Sequence, residues 1–247
     1  MPRRPSTQLA GIVLVIVLYA LYAWLIEPRP VKQRAAAFDF YLLALTVESA
    51  FCEDNQRPLQ QCQRLSRQSF AQMPLVLHGL WPERNQPETY PRDCGGGRLA
   101  LSPGLRVRVE RWMPGTEVDL DVHEWRKHGS CSALSGEQYF AAAVDWTERT
   151  HGLLADALAA SAGQRVRGAA LRAAVEAKQP GFGRSLIFMC KNLRSRDPQK
   201  RSRPYLYEVR LCLDNDGANG APQSLLECAA VGRRDQGCGD SFWIDDV

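Results

Sequence analysis

Histidine is scarce in this chain, with four in 247 residues, so where it falls is informative. The eight cysteines form no Cys-x-x-Cys pair, which argues against a zinc knuckle or a thioredoxin-like dithiol. No segment recurs at a fixed period, which removes solenoids and propellers. Neither charge is in large excess: 31 basic and 27 acidic residues leave a formal net charge of +4. That balance permits a polyanionic partner without requiring one. Nor do two histidines stand four apart with a carboxylate after the first, as on a metalloprotease helix.

What is present is concentrated. His123-Glu124-Trp125-Arg126-Lys127-His128-Gly129-Ser130-Cys131 puts two of the histidines, a carboxylate and an ammonium into one short run. If this run is helical, His123, Glu124, Lys127 and His128 fall within an arc of about 140° and share a face. Gly129 is expected to stop the helix. A solvated charged face is the competing reading. A zinc site is disfavoured because the spacing turns His128 away from His123. A third histidine lies in Leu75-Val76-Leu77-His78-Gly79-Leu80-Trp81-Pro82. Two histidines able to act as base and acid, with cations beside them, suit phosphoryl transfer without a metal. His151 falls outside both segments and is assigned to packing or surface.

Periodicity supplies the frame. Phe38 to Val47 and Leu75 to Leu80 read as strands, and Leu105 to Trp112 as a short helix halted by Pro114-Gly115. Glu137 to Ala162 and Val166 to Lys178 carry helical apolar spacing and many alanines. Leu186 to Cys190 and Tyr205 to Leu213 return to strand, the latter with Val209, Leu211 and Leu213 alternating with polar residues. Helices set between groups of strands predict an α+β fold. Glu53 to Gln72 reads as an excursion pinned by cysteines, and Asn85 to Gly97 as a loop. The basic stretch Asn192 to Arg203 reads as a solvated hairpin tip rather than an RNA grip, since nothing aromatic interleaves.

The two histidine segments resemble the two active-site segments of the ribonuclease T2 family, secreted endoribonucleases that cleave RNA without metal. Leu77-His78-Gly79-Leu80-Trp81-Pro82 matches the first and His123 to Cys131 the second. Further matches are Phe38-Asp39-Phe40-Tyr41-Leu42-Leu43-Ala44-Leu45, Tyr90-Pro91 before Cys94, and Tyr207-Glu208-Val209-Arg210-Leu211-Cys212. The resemblance implies a central, mainly antiparallel sheet packed by several helices and stapled by disulfides. It implies His128 as general base, His78 as general acid, Lys127 as a charge stabiliser, Glu124 as an aid to the transition state and His123 as a phosphate ligand. Trp81 and Tyr90 would stack on a base, with Glu83 as an edge contact and weak base preference overall. It implies RNA as the partner, no cofactor, no metal and a monomeric catalytic domain. It also implies the bridges Cys52–Cys62, Cys94–Cys131, Cys190–Cys238 and Cys212–Cys228; from the sequence itself Cys228 and Cys238 are free to exchange roles. Where the family commonly has Gln-Trp-Pro-Pro, this chain has Thr46-Val47-Glu48-Ser49. A glutamine contact to the 3′-side base is therefore missing.

Eight cysteines, an even number, suit an oxidising compartment. Arg3 and Arg4 precede an apolar run from Leu9 to Ile26, which reads as a signal or membrane anchor. Ala35-Ala36-Ala37 lies well beyond that run, past Arg29, Lys32 and Arg34, and makes a poor cleavage site. An uncleaved anchor is therefore expected in preference to a cleaved signal, with residues 1–36 as leader and linker, and 37–247 as an exported catalytic domain.

Overall fold

The computed structural model describes residues 17, 19, 22, 36–55, 57–215 and 220–247. It divides into two compact units, Met1–Val31 and Lys32–Val247. The expected anchor from Leu9 to Ile26 lies almost wholly outside the described residues, of which Val17, Tyr19 and Tyr22 are helical and exposed. Among the described residues no helix is long and apolar enough to cross a membrane.

The second unit is an α+β fold. Six strands form one sheet: β1 (Phe40–Val47), β2 (Leu75–Glu83), β3 (Arg165–Arg167), β4 (Leu186–Lys191), β5 (Tyr205–Asp214) and β6 (Ser241–Trp243). The order is β2-β1-β5-β6-β3, with β4 also pairing β5. All pairs are antiparallel except a short parallel contact between β5 and β6. Seven helices are described: α1 (Glu48–Asp54), α2 (Gln60–Gln63), α3 (Arg67–Gln72), α4 (Pro103–Trp112), α5 (Leu120–Lys127), α6 (Gly136–Ala160) and α7 (Gly168–Lys178). The excursion expected over Glu53 to Gln72 thus contains two short helices. Strands β3 and β6 are three residues each, too short for alternation to reveal.

β1 is buried along its whole length, as its unbroken apolar run requires. Its odd-numbered side chains, Tyr41, Leu43, Leu45 and Val47, enter the main core under α6 with Val209, Leu211 and Leu213 of β5. Its even-numbered Phe40 and Leu42 join Ile187, Cys212 and Cys228 on the opposite face. Helix α6 starts with a capping box between Ser135 and Gln138 and buries Tyr139, Phe140, Val144, Leu154 and Leu158. Tyr139 also closes the sheet edge. Its hydroxyl donates to the Leu80 carbonyl (2.6 Å) and accepts from the Leu80 N–H (3.3 Å) on the outer strand β2.

Four disulfides are formed: Cys52–Cys62, Cys94–Cys131, Cys190–Cys238 and Cys212–Cys228, the pairs implied by the resemblance. In the stretch 192–203, Arg194, Arg196 and Arg201 are exposed and Lys200 and Arg203 are partly buried. Lys200 reaches Asp245 (2.7 Å), Arg201 donates to the Ser195 carbonyl (2.8 Å), and Arg203 lies over the Trp243 ring (4.7 Å).

Candidate active site

Strand β2 delivers His78 and Trp81 to one cleft, although residues three apart on a regular strand point to opposite faces. A β-bulge resolves this. Ala44 pairs Gly79 and Leu45 pairs Leu77, so His78 is an extra residue with no partner on β1. Leu77 and Leu80 both face the main core, while His78 and Trp81 both face outward from it. Bulges commonly serve to re-aim a side chain next to a site.

Helix α5 delivers the second group, and the helical reading of that segment holds. Asp119 precedes it in the left-handed region (φ 60°), and His128 caps its end with its N–H on the Glu124 carbonyl (2.9 Å). Gly129 does not stop the helix by a left-handed turn, because its φ is not positive. It begins a short 3-10 turn, Gly129–Cys131, and is glycine for space: a Cβ there would meet Trp125 at 2.6 Å and Tyr139 at 3.0 Å. The loop carrying Tyr90 is tied to the same helix end by the Asp93 N–H to Lys127 carbonyl bond (2.8 Å) and by Cys94–Cys131.

These elements enclose a cleft of about 400 Å³ lined by His78, Trp81, Glu83, Tyr90, Leu120, His123, Glu124, Lys127 and His128. Every side chain singled out for chemistry or base contact in the sequence is on that wall. Glu124 is the hub. Its Oε2 accepts the Trp81 indole N–H (2.7 Å), and its oxygens lie 3.9 Å from His78 Nε2 and 4.0 Å from both His123 Nε2 and His128 Nε2. Glu124 therefore faces all three imidazoles without a direct hydrogen bond to any. Gly79 must be glycine here, since a Cβ would collide with Glu124 Oε2 and Trp81 Nε1.

The two histidines have opposite environments. His128 is buried, and burial, with the charges of Lys127, His123 and His78, pushes it down to about 3. Its Nδ1 is buried without a hydrogen-bond partner among the described residues. For His78, burial also opposes protonation. The hydrogen bond and charge of Glu208, with the charge of Glu124, outweigh it and raise the imidazole above its ordinary value. Burial raises Glu124 as well, against the pull of His78 and the Trp81 hydrogen bond. His123 is more than half exposed at the rim.

Three features were not foreseen. The rings of Trp81 and Tyr90 both contact His128, at centroid distances of 5.4 Å and 6.1 Å. Glu83 is buried, and its Oε2 accepts from Arg233 Nη2 (2.7 Å), so this carboxyl is held by a guanidinium. Glu208 and Arg210 of β5 lie behind His78 and Trp81: Glu208 Oε1 is 2.7 Å from His78 Nδ1, and the Arg210 guanidinium is 5.0 Å from the Trp81 ring. A second cavity of about 740 Å³ shares His78, Leu120 and His123 and extends past Phe51, Tyr207 and Arg194. Trp125 is core, as expected, and His151 packs edge-on against Trp112. Among the described residues no three His, Cys, Asp or Glu side chains are grouped so as to hold a metal ion.

Comparison with known proteins gives the family. The family model described as "Ribonuclease T2 family" matches residues 38–228. A ribonuclease of Aeromonas hydrophila is 29% identical over 213 residues, covering 83% of this chain and 86% of that protein. A probable ribonuclease of Haemophilus influenzae is 34% identical over 135 residues, covering 50% of this chain and 48% of its own. Among solved structures, a mutant of ribonuclease MC1 in complex with 5′-GMP superposes with a TM-score of 0.62 at 25% identity, covering 84% of this chain and all of that one. The chain belongs to the ribonuclease T2 family.

Proposed function

We propose that this ribonuclease cleaves single-stranded RNA internally by transphosphorylation. His128 takes the proton from the 2′-hydroxyl, which attacks phosphorus. The P–O5′ bond breaks, and His78 gives its proton to the departing 5′-oxygen. The product is a 2′,3′-cyclic phosphate, which water opens later with the two histidines in exchanged roles. Lys127 and His123 neutralise the non-bridging oxygens as negative charge builds on them. Glu124, set between the three imidazoles, acts on the transition state by charge and by holding Trp81 in place.

The observation that carries this reading is the opposite tuning of two histidines in one cleft. One is held neutral by burial, fit to accept a proton, and the other is held protonated by carboxylates, fit to give one. No step needs a metal, because nucleophile, base, acid and charge are all supplied by RNA and these side chains. Tyr90 and Trp81 supply aromatic surface for the base 5′ to the cut. Stacking is tolerant of base identity, so low specificity follows. The nucleotide held by the similar ribonuclease MC1 mutant supports a nucleotide ligand here. Four disulfides support export to an oxidising compartment, by an N-terminal anchor or signal in residues 9–26. A monomeric catalytic domain is sufficient, since one chain supplies the whole cleft.

The test is digestion of homopolymer RNAs and of DNA in excess chelator, with products examined for cyclic phosphate. RNA should be cut and DNA spared. His78→Ala and His128→Ala should each lower kcat by about two to four decades. Equal digestion of DNA, or activity abolished by the chelator, would sink the mechanism. N-terminal sequencing of the exported protein tests the anchor: a chain beginning near Phe38 would rule it out.

A further inference from the structure

Glu208 and Arg210 have no place in the chemistry above, yet both are built into the site. They sit two apart on β5, so both project to the face that carries His78. Thr46 pairs Glu208 and Ala44 pairs both Arg210 and Gly79, which leaves only small side chains in the rows between β5 and β2. Glu208 is buried. Its Oε1 meets His78 Nδ1 at 2.7 Å, and its Oε2 accepts from Arg210 Nη2 (2.6 Å) and Nε (2.9 Å). Burial alone would protonate this carboxyl, but His78 and Arg210 hold it below the ordinary range, as an anion. An anionic carboxylate only accepts hydrogen bonds, so His78 Nδ1 must be the donor. The exchangeable proton of His78 is then confined to Nε2, the atom on the cleft side, 3.9 Å from Glu124.

We propose that Glu208, fixed by Arg210, is the positioning residue for His78: it aims the ring, confines its exchangeable proton to Nε2 and keeps the imidazolium charged until the leaving group takes that proton. Among the described residues His128 has no counterpart, since its Nδ1 finds no hydrogen-bond partner there. The asymmetry follows the roles: a donor must be charged before the step, an acceptor neutral. The proposal rests on His78 being the acid. The other charged or titratable groups around His78, in the two cavities it lines, are Glu83 from β2, Tyr207 and Arg210 from β5, Arg57, Tyr90 and Arg194 from loops, and Glu124, His123, Lys127 and His128 from α5 and its end.

The test uses the full chain and Glu208→Gln. The amide keeps the shape but loses the charge, and with its oxygen on Arg210 it presents N–H to Nδ1, opposing the imidazolium. Two substrates are compared: a dinucleoside monophosphate, and a nucleoside 3′-(4-nitrophenyl phosphate) whose leaving group needs no acid. On the first, kcat should fall about 10²- to 10³-fold with KM nearly unchanged; on the second the loss should stay within about threefold. The alkaline limb of the pH profile should move to lower pH. The His78 imidazole, followed by NMR titration, should lose its proton at lower pH than in wild type. An unmoved His78 titration overturns the proposal, as does an equal loss on both substrates with an unmoved limb, the mark of a merely structural role. His78→Ala separates the two ideas. If that variant loses equally on both substrates, His78 is not the acid and the reading under Proposed function fails, whatever the Glu208 titration shows.

Discussion

Gly79→Ala puts the geometry of the cleft to a direct trial. The added methyl would overlap Glu124 Oε2 and stand 2.5 Å from Trp81 Nε1 and 3.0 Å from Glu124 Cδ. Neither neighbour is a free chain end. Glu124 is buried, and the Trp81 indole contacts His78, His128 and Arg210. Relief must come from parting the 2.7 Å bond between them. Overpacking costs about 1–3 kcal/mol, and loss of a hydrogen bond to a buried carboxylate about 1.5–3 kcal/mol. Destabilisation should therefore reach about 3–5 kcal/mol, less than the ~5–15 kcal/mol that holds a typical domain. The variant should fold, with Glu124 displaced by about an ångström and kcat/KM lower by about 10²-fold. Urea unfolding followed by tryptophan fluorescence, with turnover of a dinucleoside monophosphate, measures both. Gly97→Ala is the control, since a Cβ there meets nothing within 4 Å. If Gly79→Ala matched that control in stability and turnover, the close approach of β2 to Glu124 would be wrong.

Further outcomes are expected. The kcat/KM profile should hold a plateau from near the pH of about 3 set by His128 to beyond the ordinary imidazole value of 6.5, lost only as His78 gives up its proton; an acid limb at about pH 6 would contradict the assignment. Burial raises Glu48 from 4.5 to about 7, so the folded state keeps a proton that the unfolded state releases, and stability falls as pH rises across that window. Glu48→Gln should therefore add up to about 3 kcal/mol at pH ~7.5 and much less at pH ~5, and urea midpoints showing equal effects at both pH values would refute this. Replacing Cys94 and Cys131 together with alanine removes a crosslink across 37 residues, which contributes about 4 kcal/mol of chain entropy. KM should rise more than kcat falls, because Tyr90 rather than His78 hangs from that bridge, and an unchanged melting temperature would count against it.

The chemistry was legible where polar residues crowd without structural need, as in His123 to Cys131, or interrupt an apolar strand, as at His78. Glu208 and Arg210 were hidden by regularity. In β5 they occupy alternate positions between Val209, Leu211 and Leu213, the pattern of a strand with one wet face. Nothing local says that this face is covered by a histidine from another strand. Arg233, which holds Glu83, comes from an irregular segment with no period to read. The major helices and strands were legible from spacing, within a few residues at their ends. Strands β3 and β6 were not, because three residues do not make an alternation.

The bulge at His78 splits β2 into two phases. Before it, odd-numbered residues point to the core (Leu75, Leu77); after it, the core position is even-numbered (Leu80). Such a strand cannot lose its extra residue and keep the site. Losing one residue between Leu77 and Trp81 would close the bulge and keep Leu77 and Leu80 in the core with Trp81 outward, but one residue would then stand where His78 and Gly79 do: a glycine there forfeits the histidine, and a side chain there collides with Glu124 and Trp81. Insertions and deletions that alter base contacts therefore have to fall elsewhere, in the 85–97 loop that carries Tyr90. One half of the cleft is locked by the bulge, and the other is open to drift in length.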